Sequence, residues 1–477
     1  MRLPAVDAAP STGGGSSPSG DPAAGAGAAR PDGPIGNGAG PSSASDPGDE
    51  GGAGEAVHSA GLQIGALLVA AALLRMGVVA GTDAVIFDLN GLYNDKPPSI
   101  AVGFVGASQA VAEMVLAFVL ARQADRIGRS RFLIGGPLLG AAGILLVALA
   151  NHPVQFAAAR LLEGIGAAAF VPTALGMVAA ATAHNPTVRA RASGAFEGAT
   201  LIGYAGGFVL GSFAWHQMHR WSFVVFAGFY LTAALICATL VDKVPPLPVS
   251  PLSTVTKAIV GKGPIRIFIP AWLAVNCLVG AWYVNMTSLL KHAPEGGQTL
   301  VAGFDERLIG LFKLTFVVLL ILGIVLWTPY LQRHGGPATM RRAVPGAFLV
   351  CLSLFIVNHA PLHVAPFVLP LAVIGILCMS GFVPAAVNYL SDCSEALVSD
   401  RSALMAFYTV TLAGGSATGA LLGGVAGKLL LFDGLLVLGV LLAVVALISL
   451  DAVRRYEAEN GPVRDHVIRS AEAASSA

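Results

Sequence analysis

Five ionisable residues, Arg75, Asp83, Glu113, Arg160 and Glu163, each interrupt a long run of apolar side chains. A lone charge at the centre of a bilayer costs at least about 2.5–3.5 kcal/mol, so such residues face a protein interior or a wet cavity and find partners there. Arg160 and Glu163 stand three positions apart, on one face of a helix, where they can pair. Arg75 and Glu113 sit near the middles of the first two runs, at comparable depths, and are candidate partners. Desolvation favours the neutral acid of a buried carboxyl group and a nearby arginine favours its anion. A carboxyl group held between those influences can load a proton on one side of a membrane and release it on the other. Glu113 is the first expectation for a proton carrier and Asp83 the second, with a purely structural Arg75–Glu113 bridge as the alternative. Arg160 with Glu163 is either a coupling element or a neutralised structural pair. Glu197 and Lys313 lie near the ends of their runs and are expected to reach an interface. Asp88, Asp392 and Glu395 are expected to be solvated.

The elements that must hold these charges are hydrophobic helices. The chain of 477 residues is 55% hydrophobic and only 12% charged, with a mean hydropathy of +0.73, above the range of soluble domains. Twelve spans are expected near 62–87, 100–121, 132–150, 153–181, 190–214, 221–241, 266–290, 308–330, 343–358, 364–389, 402–426 and 434–450. Each approaches or exceeds the ~20 residues that a helix needs to cross hydrocarbon. The alternation of a β-barrel strand is missing from these runs, so the fold class is an all-α membrane protein. Aromatic residues such as Tyr204, Trp282 and Tyr283 suit either a cavity wall or an interfacial anchor. A net charge of +1 offers nothing to nucleic acid. The five cysteines have neither metal-ligand nor redox spacing. With no Ser/His/Asp set, metal cluster or nucleotide-binding motif in the sequence, neither an enzyme nor a cofactor or metal is expected.

The stretch Ala121–Arg131 carries Arg122, Asp125, Arg126, Arg129 and Arg131 between the second and third spans. Short basic loops stay on the cytoplasmic side. Of the 28 basic residues, 20 fall in loops and tails on the side of this loop, five on the other side and three within spans. Both termini are therefore expected in the cytoplasm, in a bacterial cytoplasmic membrane. Residues 1–58 are rich in Gly, Ala, Pro and Ser and read as a disordered tail without a cleaved signal peptide. Residues 60–242 form a first six-helix half, 243–264 a cytoplasmic linker, 265–451 a second half and 452–477 a cytoplasmic tail. The halves repeat. Phe170-Val171-Pro172-x-Ala174 recurs as Phe382-Val383-Pro384-x-Ala386, and Gly203, Gly207 and Gly211 recur as Gly415, Gly419 and Gly423, all 212 residues on. Arg126-x-Gly128 recurs as Arg333-x-Gly335, 207 residues on.

Asp125-Arg126-x-Gly128-Arg129 after the second span resembles the loop signature of the major facilitator superfamily of secondary transporters, with Ala121 where that signature opens on Gly. Arg160-x-x-Glu163-Gly164-x-Gly166-Ala167 resembles the superfamily's fourth-helix signature, with Glu163 in place of Gln. Gly194, Gly203, Gly207 and Gly211 resemble the fifth-helix signature of its drug:proton antiporters, with Phe208 in place of Pro. The resemblance implies two six-helix halves that rock about a central site, exchanging access between the two sides. It implies that Asp125, Arg126, Gly128, Arg129 and Arg131 form a conformational gate, with Asp125 engaging neighbouring arginines or the helix start after Asp400-Arg401. The spacing of the glycines, Gly415, Gly419 and Gly423 included, makes them a helix-packing face. The expected partners are protons, a small-molecule substrate and lipid, with the protein a monomer. The expected function is proton-coupled efflux of small lipophilic or cationic compounds. The alternatives are a proton symporter for a sugar, organic acid or other metabolite, and a receptor or assembly factor that transports nothing.

Overall fold

The computed structural model describes residues 49–182, 186–242, 263–395 and 401–461. The first half holds α1 (Asp49–Leu92), α2 (Ser99–Ile127), α3 (Arg129–Val147), α4 (Pro153–Ala181), α5 (Pro186–Met218) and α6 (Ser222–Leu240). In the second half, α7 runs as Gly263–Ala281, passes through a π-helical turn at Trp282–Met286 and resumes at Thr287–Lys291. It is followed by α8 (Glu306–His334), then α9 in two pieces (Gly336–Ala343 and Pro345–His359) and α10 in two pieces (Ala365–Met379 and Phe382–Glu395). The last two are α11 (Arg401–Leu430) and α12 (Phe432–Asn460). Among the described residues, eleven continuous stretches are long and apolar enough to cross a membrane, and the longest, Gly194–Leu240, takes in most of α5 and all of α6 across the short turn His219–Trp221. Counting α5 and α6 separately gives twelve spans, each a helix because a chain in hydrocarbon must satisfy its backbone groups internally. Large apolar side chains such as Phe367, Leu429 and Leu235 stay exposed, as the faces toward lipid require.

The first helix starts at Asp49 and so includes residues 49–58, which composition assigned to the tail. The remainder of that tail, most of the linker (243–262) and residues 462–477 lie outside the described residues.

The repeat in sequence is a repeat in packing. Gly203, Gly207 and Gly211 of α5 meet α1 at Ala72, Val79 and Ala80, and Gly415, Gly419 and Gly423 of α11 meet α7 at Asn276, Cys277 and Asn285. Small residues allow the backbones this approach. Gly194 departs from the expectation, for nothing lies within 4 Å of the place its Cβ would take. It lies near the start of α5, outside the stretch that packs on α1. Between the halves, α2 meets α11 at Gly103 and Gly424, while α8 meets α5 at Gly310 and Ser212. These two contacts repeat at the same offsets, 207 residues for the first member and 212 for the second. Gly128 (φ 112°) and Gly335 (φ 77°), the loop pair of the repeat, each end a helix in a conformation that costs an L side chain.

A candidate transport site between the halves

Asp83 of α1, Lys313 of α8 and Thr287 and Tyr283 of α7 meet where the halves join. Lys313 Nζ lies 2.5 Å from Asp83 Oδ1, with side-chain exposures of 3% and 0%. The ammonium also donates to Thr287 Oγ1 at 2.6 Å and to the Tyr283 carbonyl at 3.2 Å. Thr287 in turn donates to Asp83 Oδ1 at 3.2 Å. The rings of Phe208 and Tyr283 stand 4.5 and 5.0 Å from Nζ. The π turn explains part of this arrangement. Widening the helix at Trp282–Met286 displaces the Tyr283 carbonyl from its ordinary i+4 partner and leaves it to a side chain, a recurrent use of such turns.

Beside it, within the first half, Arg160 pairs with Glu163, and Tyr230 donates to the other oxygen of Glu163. Arg160 Nη2 donates to Thr82 Oγ1 at 2.6 Å, one residue from Asp83, so the two clusters adjoin. Two turns along α1, Arg75 Nη2 lies 3.4 Å from Glu113 Oε1 of α2, whose second oxygen accepts from Gln109 Nε2 at 3.1 Å. Arg75 and Thr82, seven residues apart, share a face of α1.

Two expectations drawn from distance to a span end are corrected. Lys313 does not reach an interface; it is buried on Asp83. Asp88 is not solvated; it is buried and paired with Arg220 at 3.1 Å. Both sit within about two turns of a helix end, but on faces turned to neighbouring helices. The side chains of Asp392 and Glu395 lie outside those described. Depth alone offered Lys313, seven residues inside α8, as a partner for Asp83, nine residues from the end of α1, but it does not report the rotation that turns the side chain inward.

Polar ties between the halves gather at the helix ends remote from the basic loop. Asn90 donates to Ser288 at 3.2 Å, and the Ala293 N–H donates to the Asp95 carbonyl at 2.8 Å. His216 of α5 stands 3.2 Å from Glu306 of α8, which Lys291 also reaches at 2.8 Å. The basic loop makes ties of another kind. Arg129 pairs with Asp125 at 2.7 Å and donates to the Gly176 carbonyl of α4 at 3.2 Å. These contacts remain within the first half. Asp400 and the side chain of Arg401 lie outside the described residues.

Paired helices, charges buried within apolar spans and a polar cluster on the seam define a two-half membrane transporter. The sequence model of the Major Facilitator Superfamily matches residues 59–395, and the chain belongs to that family. It is a multi-pass membrane protein, consistent with a bacterial cytoplasmic membrane. Among relatives, the MFS-type transporter EfpA of Mycobacterium tuberculosis (strain ATCC 25618 / H37Rv) is 32% identical over 131 residues, 26% of this chain and 24% of that protein. Multidrug resistance protein 2 of Bacillus subtilis (strain 168) is 30% identical over 115 residues, 23% of this chain and 28% of that one. The matches thus span about a quarter of those relatives. The bacterial homologue of the human lysosomal transporter Spinster, inward-facing and unoccupied, superposes with a TM-score of 0.65 at 13% identity, covering 83% of this chain and 97% of that one. The nucleoside transporter NupG gives 0.60 at 15% identity, covering 82% and 98%. At these identities the likeness is one of fold.

Proposed function

We propose that this transporter is a proton-coupled antiporter that exports small lipophilic or cationic compounds by alternating access. The observation that carries the reading is the Asp83–Lys313 ion pair, whose members belong to different halves. Opening the remote end must part α1 from α8. Breaking a buried ion pair leaves an uncompensated charge, at about 3–5 kcal/mol, more than a hundredfold in an equilibrium. A proton on Asp83 removes its half of that penalty, so protonation and opening favour one another. Glu113, with Arg75 and Gln109, is a second proton station deeper along the helices, and Arg160–Glu163 links the first station to the body of its half.

Export is supported by the glycine pattern of α5 and by the partial match to a multidrug resistance protein. The asymmetry of basic residues supports cytoplasmic termini, with the remote end facing outward. The same asymmetry and the repeat support the halves 60–242 and 265–451, the linker and the two tails. The protein works as a monomer, since the seam lies between its own halves. The Asp125–Arg129 pair clasps α2 to α3 and holds the basic loop against α4, and the loop serves as the cytoplasmic gate when the halves swing together on that side.

The test is proton movement in everted vesicles carrying the protein, followed with a pH-gradient dye while lipophilic cations, then sugars and organic acids, are added singly. Cations should collapse the gradient, and Asp83→Asn should abolish the response. Full coupling in Glu113→Gln would remove Glu113 from the proton path. Proton movement evoked only by a metabolite, with the sign of co-transport, would overturn antiport, and silence to every cation would refute export of this class.

A further inference from the structure

The surroundings of Lys313 are those of a receptor for a cation. An ammonium group has three N–H donors and no acceptor. Here it meets three acceptors, Asp83 Oδ1, Thr287 Oγ1 and the Tyr283 carbonyl, under two aromatic rings. Aromatic faces attract cations, most strongly when desolvated. All of these features belong to α1, α5 or α7, while the lysine alone comes from α8. Asp83 Oδ2, fully buried, has no hydrogen-bond partner, so the carboxylate retains capacity for another donor. Glu163, by contrast, has both oxygens engaged, by Arg160 and Tyr230.

We propose that the Lys313 ammonium is a tethered occupant of a cation-binding site, and that a transported organic cation takes its place on Asp83. The proposal rests on the export reading and names its substrate class: a primary ammonium, or a lipophilic cation whose charge lies among aromatic or alkyl groups. Lys313 closes the seam when the site holds no cargo, by supplying the charge that cargo would supply. When α8 withdraws, the lysine leaves and the receptor of Asp83, Thr287, Tyr283 and Phe208 accepts the substrate. The tether also lowers apparent affinity. If Lys313 holds the site nine-tenths of the time, a competing cation binds about tenfold more weakly than the open receptor would allow.

The experiment is calorimetric titration of the full-length protein in detergent with tetraphenylphosphonium. Lys313→Met should bind it about tenfold more tightly than the wild type, and Asp83→Asn should lose binding. In thermal denaturation, propylammonium, which carries the chemistry of the missing side chain, should raise the melting temperature of Lys313→Met while propionate does not. Equal or weaker cation binding in Lys313→Met, or no rescue by propylammonium, would overturn the proposal. Undiminished binding in Asp83→Asn would do so without recourse to the lysine variant. A gain of benzoate affinity in Asp83→Asn with no cation gain in Lys313→Met would make Lys313 the receptor and an anion the ligand. Altered binding as expected, with no cation-driven proton movement in vesicles, would remove the export reading and leave the receptor standing. Cation-driven proton movement with unaltered binding in Lys313→Met would do the reverse.

Discussion

Glu163→Gln isolates the energetics of the buried charges. Arg160 and Glu163 have side-chain exposures of 1% and 0%, and Arg160 is otherwise bonded to the neutral hydroxyl of Thr82. Glutamine keeps the size of the side chain and an acceptor for Tyr230, but leaves the guanidinium without its counter-charge. Loss of one partner of a buried pair costs about 3–5 kcal/mol, whereas replacing both by neutral groups is often neutral or stabilising. With ~2 °C of melting temperature per kcal/mol for a large domain, the single variant should melt roughly 6–10 °C below wild type. Arg160→Met/Glu163→Gln should recover most of that loss, because Thr82 retains its bond to the Val78 carbonyl and no bare charge remains. The assay is thermal unfolding of purified protein in detergent, wild type against both singles and the double. A double variant that melts no higher than the worse single would refute the assignment of the loss to an unpaired charge. Recovery of stability without recovery of transport would separate the structural role of the pair from any role in coupling.

The glycines of α5 offer a contrast within one helix. A Cβ at Gly211 would stand 2.7 Å from the Ala80 Cα and 2.9 Å from its carbonyl oxygen, backbone atoms that cannot turn aside, so Gly211→Ala should destabilise by about 1–3 kcal/mol. Gly194→Ala, with open space around it, should gain about 0.5–1 kcal/mol from helix propensity; thermal melting of the two variants checks both signs. Asp125→Asn, which weakens the 2.7 Å pair with Arg129, should slow turnover in vesicles while expression holds, and unchanged turnover would take the loop out of the mechanism. Asp305 caps α8 from outside the spans. Slight burial opposes ionisation there, but bonds from the Arg307 side chain and backbone N–H outweigh it and hold the carboxyl below its ordinary value. Its contribution is therefore complete above the unfolded value of about 3.9 and is lost as pH falls through the lower folded value. Acid unfolding of Asp305→Asn should show a shallower pH dependence below about pH 4.

The amino-acid sequence alone determined the spans, the two halves and the stripes of glycine, because each is a local or periodic property. Apolar length is set by the thickness of hydrocarbon, and a glycine every fourth residue lines one helix face whatever faces it. Arg160 and Glu163 were legible as a pair for the same reason, being three residues apart on one helix. Arg75 and Glu113 followed from depth, the one coordinate that a span reports about a distant span. Rotation about the helix axis is the coordinate it does not report. Lys313 and Asp88 lie near helix ends, where a turn one way meets headgroups and a turn the other way meets a neighbouring helix. Only the packing of α8 against α5, with α7 bringing Thr287 and the π turn alongside, directs Lys313 inward to Asp83, 230 positions away in the chain. The seam between the halves is a tertiary object, made by helices that are far apart in sequence, and the charges on it acquire their partners only when those helices meet.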